Sequence, residues 1–460
     1  MATAMFPEIP APVGAPEIMQ PTRIRFRMVA LATLIAVLLY LHRVCISPAG
    51  DTISQDLKIS PQELDGVLAS FFWTYALAQL PAGWLGDRFG ARWMLGAYLL
   101  LWSCSTGLLA LAPSITMLLI LRLATGLFQA GAYPLAAGIV SRWVPLHSRG
   151  IASSLVAVGG RIGGALAPLL TIQLMLLWTY GSDWSNLPDD AIAAATSWRP
   201  VLALYGLLGC LVAGLFILLF RDHPSQHPAV NQQELDLIGL PEPAAGTQSD
   251  SNSSLPPIRQ LVTSESMWMN CFVQFATNLG WALLVTKMPQ YLKETFATSQ
   301  QEQGWMQSLP LAAGIGGLLL GGVFTDVMTR TFGKRHGRSL ALVVSRLLTV
   351  AVLLALPDCD SALNATLLLA VIGFATDLGT PAIWAYGQDV GGRFVGSVVG
   401  WGNMWGNFGA AVSPMFFTFV IERSPAEQGW QYAFYACAGI NVLAAAAAYR
   451  VNAAVPLSRN

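Results

Sequence analysis

Ionisable side chains inside long apolar stretches are the residues of this sequence best suited to chemistry. Six of them stand out: His42, Arg43, Arg122, Arg161, Lys287 and Asp377. Five are basic or titrate to a basic form, and one is acidic. Such groups are costly in an apolar segment and usually mark the path of a substrate or an ion. The excess of basic groups favours an anionic ligand.

The clearest spacing of polar residues is in the fourth apolar stretch. Arg122, Gly126, Gln129 and Tyr133 follow at intervals of four, three and four residues, so they share one helix face. Pro134 loosens the next turn because it lacks an N–H group. A guanidinium suits a carboxylate, since the two groups form parallel charge-assisted hydrogen bonds. Arg122 therefore either binds a substrate or pairs with another helix.

The remaining charged positions leave alternatives open. Asp377 is the only carboxylate that we expect deep in a span, and it is either a proton site or the permanent partner of Arg161. The glycine-rich segment around Arg161 suits close helix packing and favours the second reading. Arg43 either binds an anion or extends to the membrane interface. His42 titrates near neutral pH, but a buried histidine with satisfied hydrogen bonds is an equal alternative.

The elements that must position these residues follow from the composition. The 460 residues are 54% hydrophobic and 11% charged, against about 25% charged in soluble domains. Apolar blocks of about twenty residues match the length that crosses roughly 30 Å of hydrocarbon, and helices satisfy their own backbone there. We predict an all-α membrane protein with about twelve transmembrane helices in two six-helix bundles.

The expected spans are 27–47, 66–86, 93–112, 115–140, 151–178, 201–220, 268–292, 304–324, 340–356, 363–384, 395–421 and 430–449. The predicted domains are an N-terminal cytoplasmic tail (1–26), a first bundle (27–220), a cytoplasmic linker (221–265), a second bundle (266–450) and a cytoplasmic tail (451–460). The linker is rich in Pro, Ser, Asn and Gln, so we expect a plain tether. The first 22 residues do not resemble a cleavable signal peptide.

The distribution of Lys and Arg gives an orientation. Four basic residues fall in one set of loops: Lys58, Arg199, Lys293 and Arg423. Seventeen fall in the other set of loops and the adjoining span ends: Arg23, Arg25, Arg27, Arg88, Arg92, Arg142, Arg149, Arg221, Arg259, Arg330, Lys334, Arg335, Arg338, Arg346, Arg393, Arg450 and Arg459. Basic loops stay in the cytoplasm, so both termini are predicted to be cytoplasmic.

An internal repeat supports the two-bundle organisation. Gly83 to Asp87 reads Gly-Trp-Leu-Gly-Asp, and Gly322 to Asp326 reads Gly-Val-Phe-Thr-Asp, 239 residues later. Both copies follow the second span of their half, and both precede a run of basic residues. A single Gly-x-x-x-Asp is a weak signal, because both residues are common in turns. Two copies at equivalent positions indicate a duplicated six-helix unit.

The segment Tyr75–Arg92 resembles the loop signature of the major facilitator superfamily. More narrowly, it is similar to the anion:cation symporter branch, which includes bacterial sugar-acid permeases and animal organic-anion carriers. In that superfamily the loop residues lock the cytoplasmic side, with a carboxylate at a helix N-terminus and ion pairs between helices. The resemblance implies this gating role for five residues: Gly83, Asp87, Arg88, Arg92 and Asp326.

The resemblance also implies a substrate site. The matching positions are Arg43, Tyr75, Arg122, Gln129 and Asn403. His42 and Gln129 stand where the branch commonly has carboxylates that take up the coupled proton. Gln129 cannot titrate, which leaves His42 and Asp377 as candidates for coupling. Lys287 matches the end of the seventh span and is expected near the outer interface.

Other classes of protein find little support in the sequence. It has no Gly-x-x-x-x-Gly-Lys-Ser/Thr nucleotide-binding loop, no assembled nucleophile and base, and no metal-ligand or disulfide spacing among its six cysteines. A net charge of zero argues against a nucleic-acid partner. We expect neither an enzyme nor a bound cofactor or metal.

We predict a monomeric secondary transporter of a bacterial inner membrane. It moves a small organic anion, a sugar acid or another carboxylate, by alternating access and in company with protons. The alternatives are an anion uniporter or exchanger without proton coupling, and a transporter-like sensor of the same ligand.

Overall fold

The computed structural model describes residues 20–181, 197–239, 257–298, 300–425 and 427–457. Most of the predicted N-terminal tail, the middle of the predicted linker (240–256) and Arg459 lie outside these ranges.

Twelve long helical segments make up the part of the chain that the structure describes. They are α1 Ile24–Val44, α2 Pro61–Phe89, α3 Ala91–Leu109, α4 Ile115–Gln129 with Ala132–Trp143, α5 Arg149–Tyr180, α6 Trp198–Leu219, α7 Glu265–Ala282 continued by Leu283–Lys287 and Met288–Phe296, α8 and α9 within Gln300–Ala355, α10 Ala362–Val390, α11 Val395–Arg423 and α12 Gly429–Arg450. Each overlaps one predicted span. The all-α fold with about twelve helices is confirmed.

Local sequence explains where several helices end or bend. Gly90 (φ 86°) separates α2 from α3, and Gly333 (φ 73°) separates α8 from α9. Both glycines adopt a conformation that other residues reach only with strain, and both follow the repeated Gly-x-x-x-Asp motif. The first segment of α4 ends at Gln129 and the second begins at Ala132, next to Pro134. Ser60 begins α2 with a capping box that includes Glu63.

The two ends of the bundles differ in how they are joined. We call the end that holds the start of α1, residues 221–239 and Val451 the linker side, and the opposite end the far side. On the far side, Arg199 pairs with Asp56 at 3.0 Å and Lys287 donates to Thr418 at 2.8 Å, both within one bundle. Bonds between bundles concentrate on the linker side.

The first part of the predicted linker is not a plain tether. Residues 232–238 form a short helix whose Glu234 has no exposed surface. Its carboxylate accepts hydrogen bonds from the backbone N–H groups of Ile24 and Arg25 and pairs with the Arg25 guanidinium at 2.9 Å. A carboxylate is favourable at this position because it opposes the positive end of the α1 dipole. Composition alone did not reveal this docking.

Glycines set how closely the helices approach. A Cβ atom at Gly163 of α5 would lie 2.1 Å from the backbone oxygen of Val37 on α1. At the neighbouring Gly164, a Cβ would lie 3.4 Å from the side chain of Tyr40, which is an ordinary contact. Small residues at such crossings let backbones pack closely in membranes.

We expect Gly163→Ala to lower the apparent unfolding temperature in detergent. The methyl group meets backbone that cannot move aside, and overpacking of this kind costs about 1–3 kcal/mol. Gly164→Ala is the matched control and should change the unfolding temperature little. Equal effects of the two substitutions would contradict the packing described here.

Candidate functional site

Two guanidinium groups of the first bundle share one aromatic neighbour, Phe71: Arg43 from the last turn of α1 and Arg122 from α4. The Arg43 guanidinium carbon lies 4.7 Å from the ring centre of Tyr40, 4.9 Å from that of Phe71 and 4.4 Å from that of Tyr75. The corresponding carbon of Arg122 lies 5.0 Å from the same Phe71 ring. The two charges are therefore within about 10 Å of each other. Aromatic faces stabilise such cations without neutralising them.

The hydrogen bonds of these two arginines leave donors free. Arg43 Nε donates to Gln129 Oε1 at 3.3 Å, and both terminal nitrogens of Arg122 approach the backbone oxygen of Arg43 at 3.4 Å. Arg43 Nη2 and Arg122 Nε are buried and have no hydrogen-bond partner. Within the described part of the chain, neither guanidinium forms an ion pair with an acidic side chain.

The residues on the predicted polar face of α4 contact different parts of the protein. Gln129 is fully buried and also donates to the backbone oxygen of Leu39 at 3.2 Å, which fixes its oxygen toward Arg43. Tyr133 lies with its ring centre 4.9 Å from that of Trp384 in the second bundle. Gly126 packs against the backbone of Phe71. The predicted residues Arg43, Tyr75, Arg122 and Gln129 thus form one cluster.

Arg161 and Asp377 form an ion pair that joins the two bundles. Arg161 Nη2 on α5 donates to both carboxylate oxygens of Asp377 on α10, at 2.9 and 2.8 Å. The guanidinium also lies over the ring of Trp281 on α7, 5.6 Å from its centre. The sequence offered this pair as one of two possibilities for Asp377, and the predicted spans already placed its two partners in different bundles.

Arg346 is a buried arginine that sequence reasoning misassigned. We counted it among the residues of loops and span ends, yet only 1% of it is exposed, in the interior of α9. It donates to Asn441 Oδ1 at 3.3 Å and to Ser345 Oγ at 2.8 Å, and it lies within electrostatic range of Asp377. Its position inside the predicted span 340–356 was the available signal.

His42 points away from the arginine cluster. Its ring is fully buried between α1, α3 and α6, close to Gly209, and its centre lies 6.3 Å from that of Tyr205. Neither ring nitrogen has a hydrogen-bond partner by geometry. His42 and Arg43 are adjacent in sequence, so they face different sides of α1.

Asn403 lies on α11 of the second bundle, next to the glycines that pack against α7 (Gly402, Gly406 and Gly409). Its side chain is half-buried, and its backbone oxygen accepts from the Asn407 side chain at 2.8 Å. Across from it, α7 presents Gln274 toward Gly402. The polar residues of α7, Asn270, Gln274 and Asn278, recur every four residues, a signal that sequence reasoning missed. Asn270 Oδ1 is buried without a partner.

Asp87 connects the bundles on the linker side. Its carboxylate accepts from the backbone N–H groups of Gly396 at 2.8 Å and Ser397 at 2.7 Å, and from the Ser397 hydroxyl at 2.7 Å. These two N–H groups belong to the first turn of α11, where the helix dipole attracts a negative charge. A Cβ atom at Gly83 would lie 2.1 Å from the Gly396 oxygen, so a glycine is required there.

Asp326 makes the equivalent contact from the second bundle. It accepts from the backbone N–H groups of Gly150 and Ile151, both at 2.9 Å, in the first turn of α5. A charge network adjoins it: Asp389 pairs with Arg149 at 2.9 Å and with Arg338 at 3.0 Å. Each bundle therefore supplies one aspartate to a helix N-terminus of the other.

The remaining predicted residues do not reach across the bundles. Arg88 is exposed, and its guanidinium lies over Trp84 and Phe89. Arg92 donates to the Ile217 oxygen at 2.9 Å within its own bundle. Of the residues to which the resemblance assigns gating, Gly83, Asp87 and Asp326 lie at the contact between bundles.

Comparisons with known proteins identify the family. The family model of the Major Facilitator Superfamily matches residues 32–414 and, in a second match, residues 271–460. The probable sulfoacetate transporter SauU of Cupriavidus necator is 29% identical over 408 residues, which cover 88% of this chain and 89% of that protein. The probable galactarate/D-glucarate transporter GarP of Escherichia coli K12 is 26% identical over 417 residues, covering 87% and 88%.

A solved structure shows the same fold. The proton:xylose symporter XylE, bound to 6-bromo-6-deoxy-D-glucose, superposes with a TM-score of 0.64 over 92% of this chain and 94% of that chain. The two sequences are 15% identical, so this likeness concerns the fold alone.

We expect Asp87→Asn to weaken the contact between the bundles. The amide replaces an ionised acceptor with a neutral group, and the charge–dipole interaction is worth up to about 2 kcal/mol when partly buried. The apparent unfolding temperature should fall clearly. Asp51→Asn is the matched control, because Asp51 is an exposed residue in the first turn of a short far-side helix. A loss no larger at Asp87 than at Asp51 would contradict this role.

Proposed function

The chain belongs to the Major Facilitator Superfamily, and on that premise we propose that it is a secondary carrier of small organic anions. The observation that carries the proposal is the pair Arg43 and Arg122, two adjacent charges with free donors and no acidic partner in the described residues. Burying an ion costs several kcal/mol unless a counter-charge compensates it. An anionic substrate supplies that compensation.

The wider balance of charge in the spans supports the same conclusion. Among the described charges that lie inside the spans and away from both ends of the bundles, Arg43, Arg122, Arg161 and Arg346 oppose a single carboxylate, Asp377. A site with this excess attracts anions and repels cations. Arginine also suits carboxylate and sulfonate groups, because its planar donors bind two oxygens at once.

The named substrates of the relatives narrow the class. Relatives are named for sulfoacetate, galactarate and D-glucarate, which carry two negative groups at neutral pH, and for L-galactonate and hexuronate, which carry one. We propose that this chain also takes an organic anion, a sugar acid or another carboxylate, and that it takes one with two negative groups because Arg43, Arg122 and Arg161 supply three guanidinium groups in the spans. Asn403 and the amides of α7 are suited to hydroxyl groups of such a substrate.

Alternating access is the mechanism that we propose for movement. The contacts of Asp87 and Asp326 support a state in which the linker side is closed. Their release would let the bundles rock and expose the central cluster on that side. The basic loops of the linker side fit the cytoplasm, and relatives from bacteria fit an inner membrane.

Proton coupling is the finer part of the proposal. Asp377 is better placed than His42 to take part, because Asp377 lies between the bundles, whereas His42 lies inside one bundle against α3 and α6. A carboxylate that loses its arginine in a buried position favours the protonated form.

We expect Arg43→Ala and Arg122→Ala each to reduce uptake of radiolabelled sulfoacetate or galactarate into proteoliposomes by at least about tenfold, as for lost hydrogen bonds to a charged group. Arg122→Lys should retain part of the activity, because lysine keeps the positive charge but cannot form the two parallel hydrogen bonds of a guanidinium.

Arg423→Ala serves as the control, since Arg423 is an exposed far-side arginine. Uptake that survives in both Arg43→Ala and Arg122→Ala would refute the anion site. Binding of the acids without any accumulation would point to a sensor.

We expect Asp377→Asn to abolish accumulation driven by a pH gradient while exchange of internal for external substrate continues. His42→Gln should retain gradient-driven uptake. The measurement compares the two variants with and without an imposed pH gradient. If wild-type uptake ignores the gradient, the carrier is a uniporter or an exchanger, and coupling is excluded.

A further inference from the structure

The ion pair between Arg161 and Asp377 joins the two bundles at a distance from the linker-side contacts. α5 and α10 run antiparallel across the boundary between the bundles. Arg149 meets Asp389 at 2.9 Å near the linker side, and Gln388 donates to Ser153 at 3.0 Å beside it. Arg161 lies twelve residues after Arg149 and Asp377 twelve residues before Asp389, so both are about 18 Å deeper at 1.5 Å per residue.

The pair therefore lies at mid-depth, above the contacts that close the linker side. Its side chains retain some access, with 20% of the Arg161 side chain and 7% of the Asp377 side chain exposed. Because one partner belongs to each bundle, we expect the pair to stretch when the bundles rock apart on the linker side.

The pair also adjoins the arginine cluster. Tyr40 is the shared neighbour: its ring lies under the Arg43 guanidinium at 4.7 Å, and its edge packs where a Cβ of Gly160 would lie 2.9 Å away. Arg161 follows Gly160 directly and lies within electrostatic range of Tyr40. Arg161 and Arg43 therefore share Tyr40 as a neighbour, and Arg161 differs from Arg43 in already holding a carboxylate.

Asp377 also has a positively charged neighbour within its own bundle. Arg346 of α9 faces it within electrostatic range and is held by Ser345 and Asn441 of its own bundle. The charged groups that face Asp377 are therefore Arg161 from the first bundle and Arg346 from the second. Asp377 would keep one positive neighbour if it released Arg161.

We propose that Asp377 is an internal substitute for one negative group of the substrate, held on Arg161 while the carrier is empty. A substrate with two negative groups places one at Arg43 and Arg122 and the other at Arg161, where it displaces Asp377. This exchange breaks the mid-depth contact and so favours opening of the linker side. The inference rests on the proposed function, since it needs an anionic substrate at the arginine cluster.

Binding of two matched acids tests the exchange. Galactarate has carboxylates at both ends, whereas galactonate has the same carbon chain and one carboxylate. Asp377→Asn removes the competitor from Arg161, so it should bind galactarate about tenfold more tightly than wild type, within the usual range of coupling between groups. Its affinity for galactonate should not change. A merely structural pair predicts weaker or unchanged binding of both acids.

A second variant keeps the test decisive if Asp377→Asn, with an unpaired Arg161, folds poorly. Arg161→Gln combined with Asp377→Asn removes both charges and leaves no buried ion alone. This variant should lose the preference for galactarate over galactonate. Retention of the wild-type preference would overturn the proposal, as would equal gains for both acids in Asp377→Asn.

Opening can be followed with a cysteine at Ser154, a buried residue of α5 that contacts Gly322 of the second bundle. In a variant whose six native cysteines are replaced, a hydrophilic maleimide should label Ser154→Cys from the linker side faster with galactarate than with galactonate. The double neutral variant should label rapidly without any acid. The inference would be contradicted if galactarate and galactonate gave equal labelling rates and the double neutral variant labelled no faster than the protein with the ion pair intact.

The outcomes separate the two proposals. If Arg43→Ala abolishes binding of both acids but Asp377→Asn gains no affinity for galactarate, the anion site stands and the exchange is wrong. If wild type binds neither acid, the proposed substrate class is wrong, and the labelling of the double neutral variant without any acid still tests the contact between bundles.

Discussion

Uncompensated positive charge in a low-dielectric interior is the constraint on which the rest of this structure depends. Arg43 and Arg122 lie among aromatic rings that tolerate a cation but cannot neutralise it. Hydrogen bonds to Gln129 and to a backbone oxygen hold their orientation and leave free donors. A fold stable in a membrane retains such charges at a cost, and a transported anion is the partner that gives them a function.

On the linker side the charges are negative, and they are compensated within the protein. Asp87 is half-buried and Asp326 is buried, and each carboxylate accepts hydrogen bonds from the first turn of a helix in the other bundle. Backbone N–H groups are weaker partners than a full positive charge, so the Asp87 contact is suited to repeated release. Asp326 also lies 3.6 Å from the Arg338 guanidinium of its own bundle. The arginines of Asp389 strengthen one of the two contacts, which makes the closure unequal between the halves.

Much of this arrangement could be predicted from sequence, and the exceptions have clear physical causes. Apolar blocks and the repeated Gly-x-x-x-Asp motif give the helices and their duplication, because membrane spans are set by length and hydropathy. The direction in which His42 points could not be predicted, since it depends on which helices surround α1. The pair of Arg161 and Asp377 was one of two possibilities, and the contact between the bundles decides for it. Arg346 was counted with the loops and span ends because a run of basic residues precedes it. The docking of Glu234 was missed because a polar linker rarely buries a carboxylate.

The most direct test of the account is an experimental structure of the protein with bound sulfoacetate. The account predicts density for a negative group within hydrogen-bond distance of Arg43 Nη2 and Arg122 Nε, the two buried donors that have no partner in the present structure. An anion found only at the surface, or a bound molecule whose negative groups avoid both arginines, would contradict it.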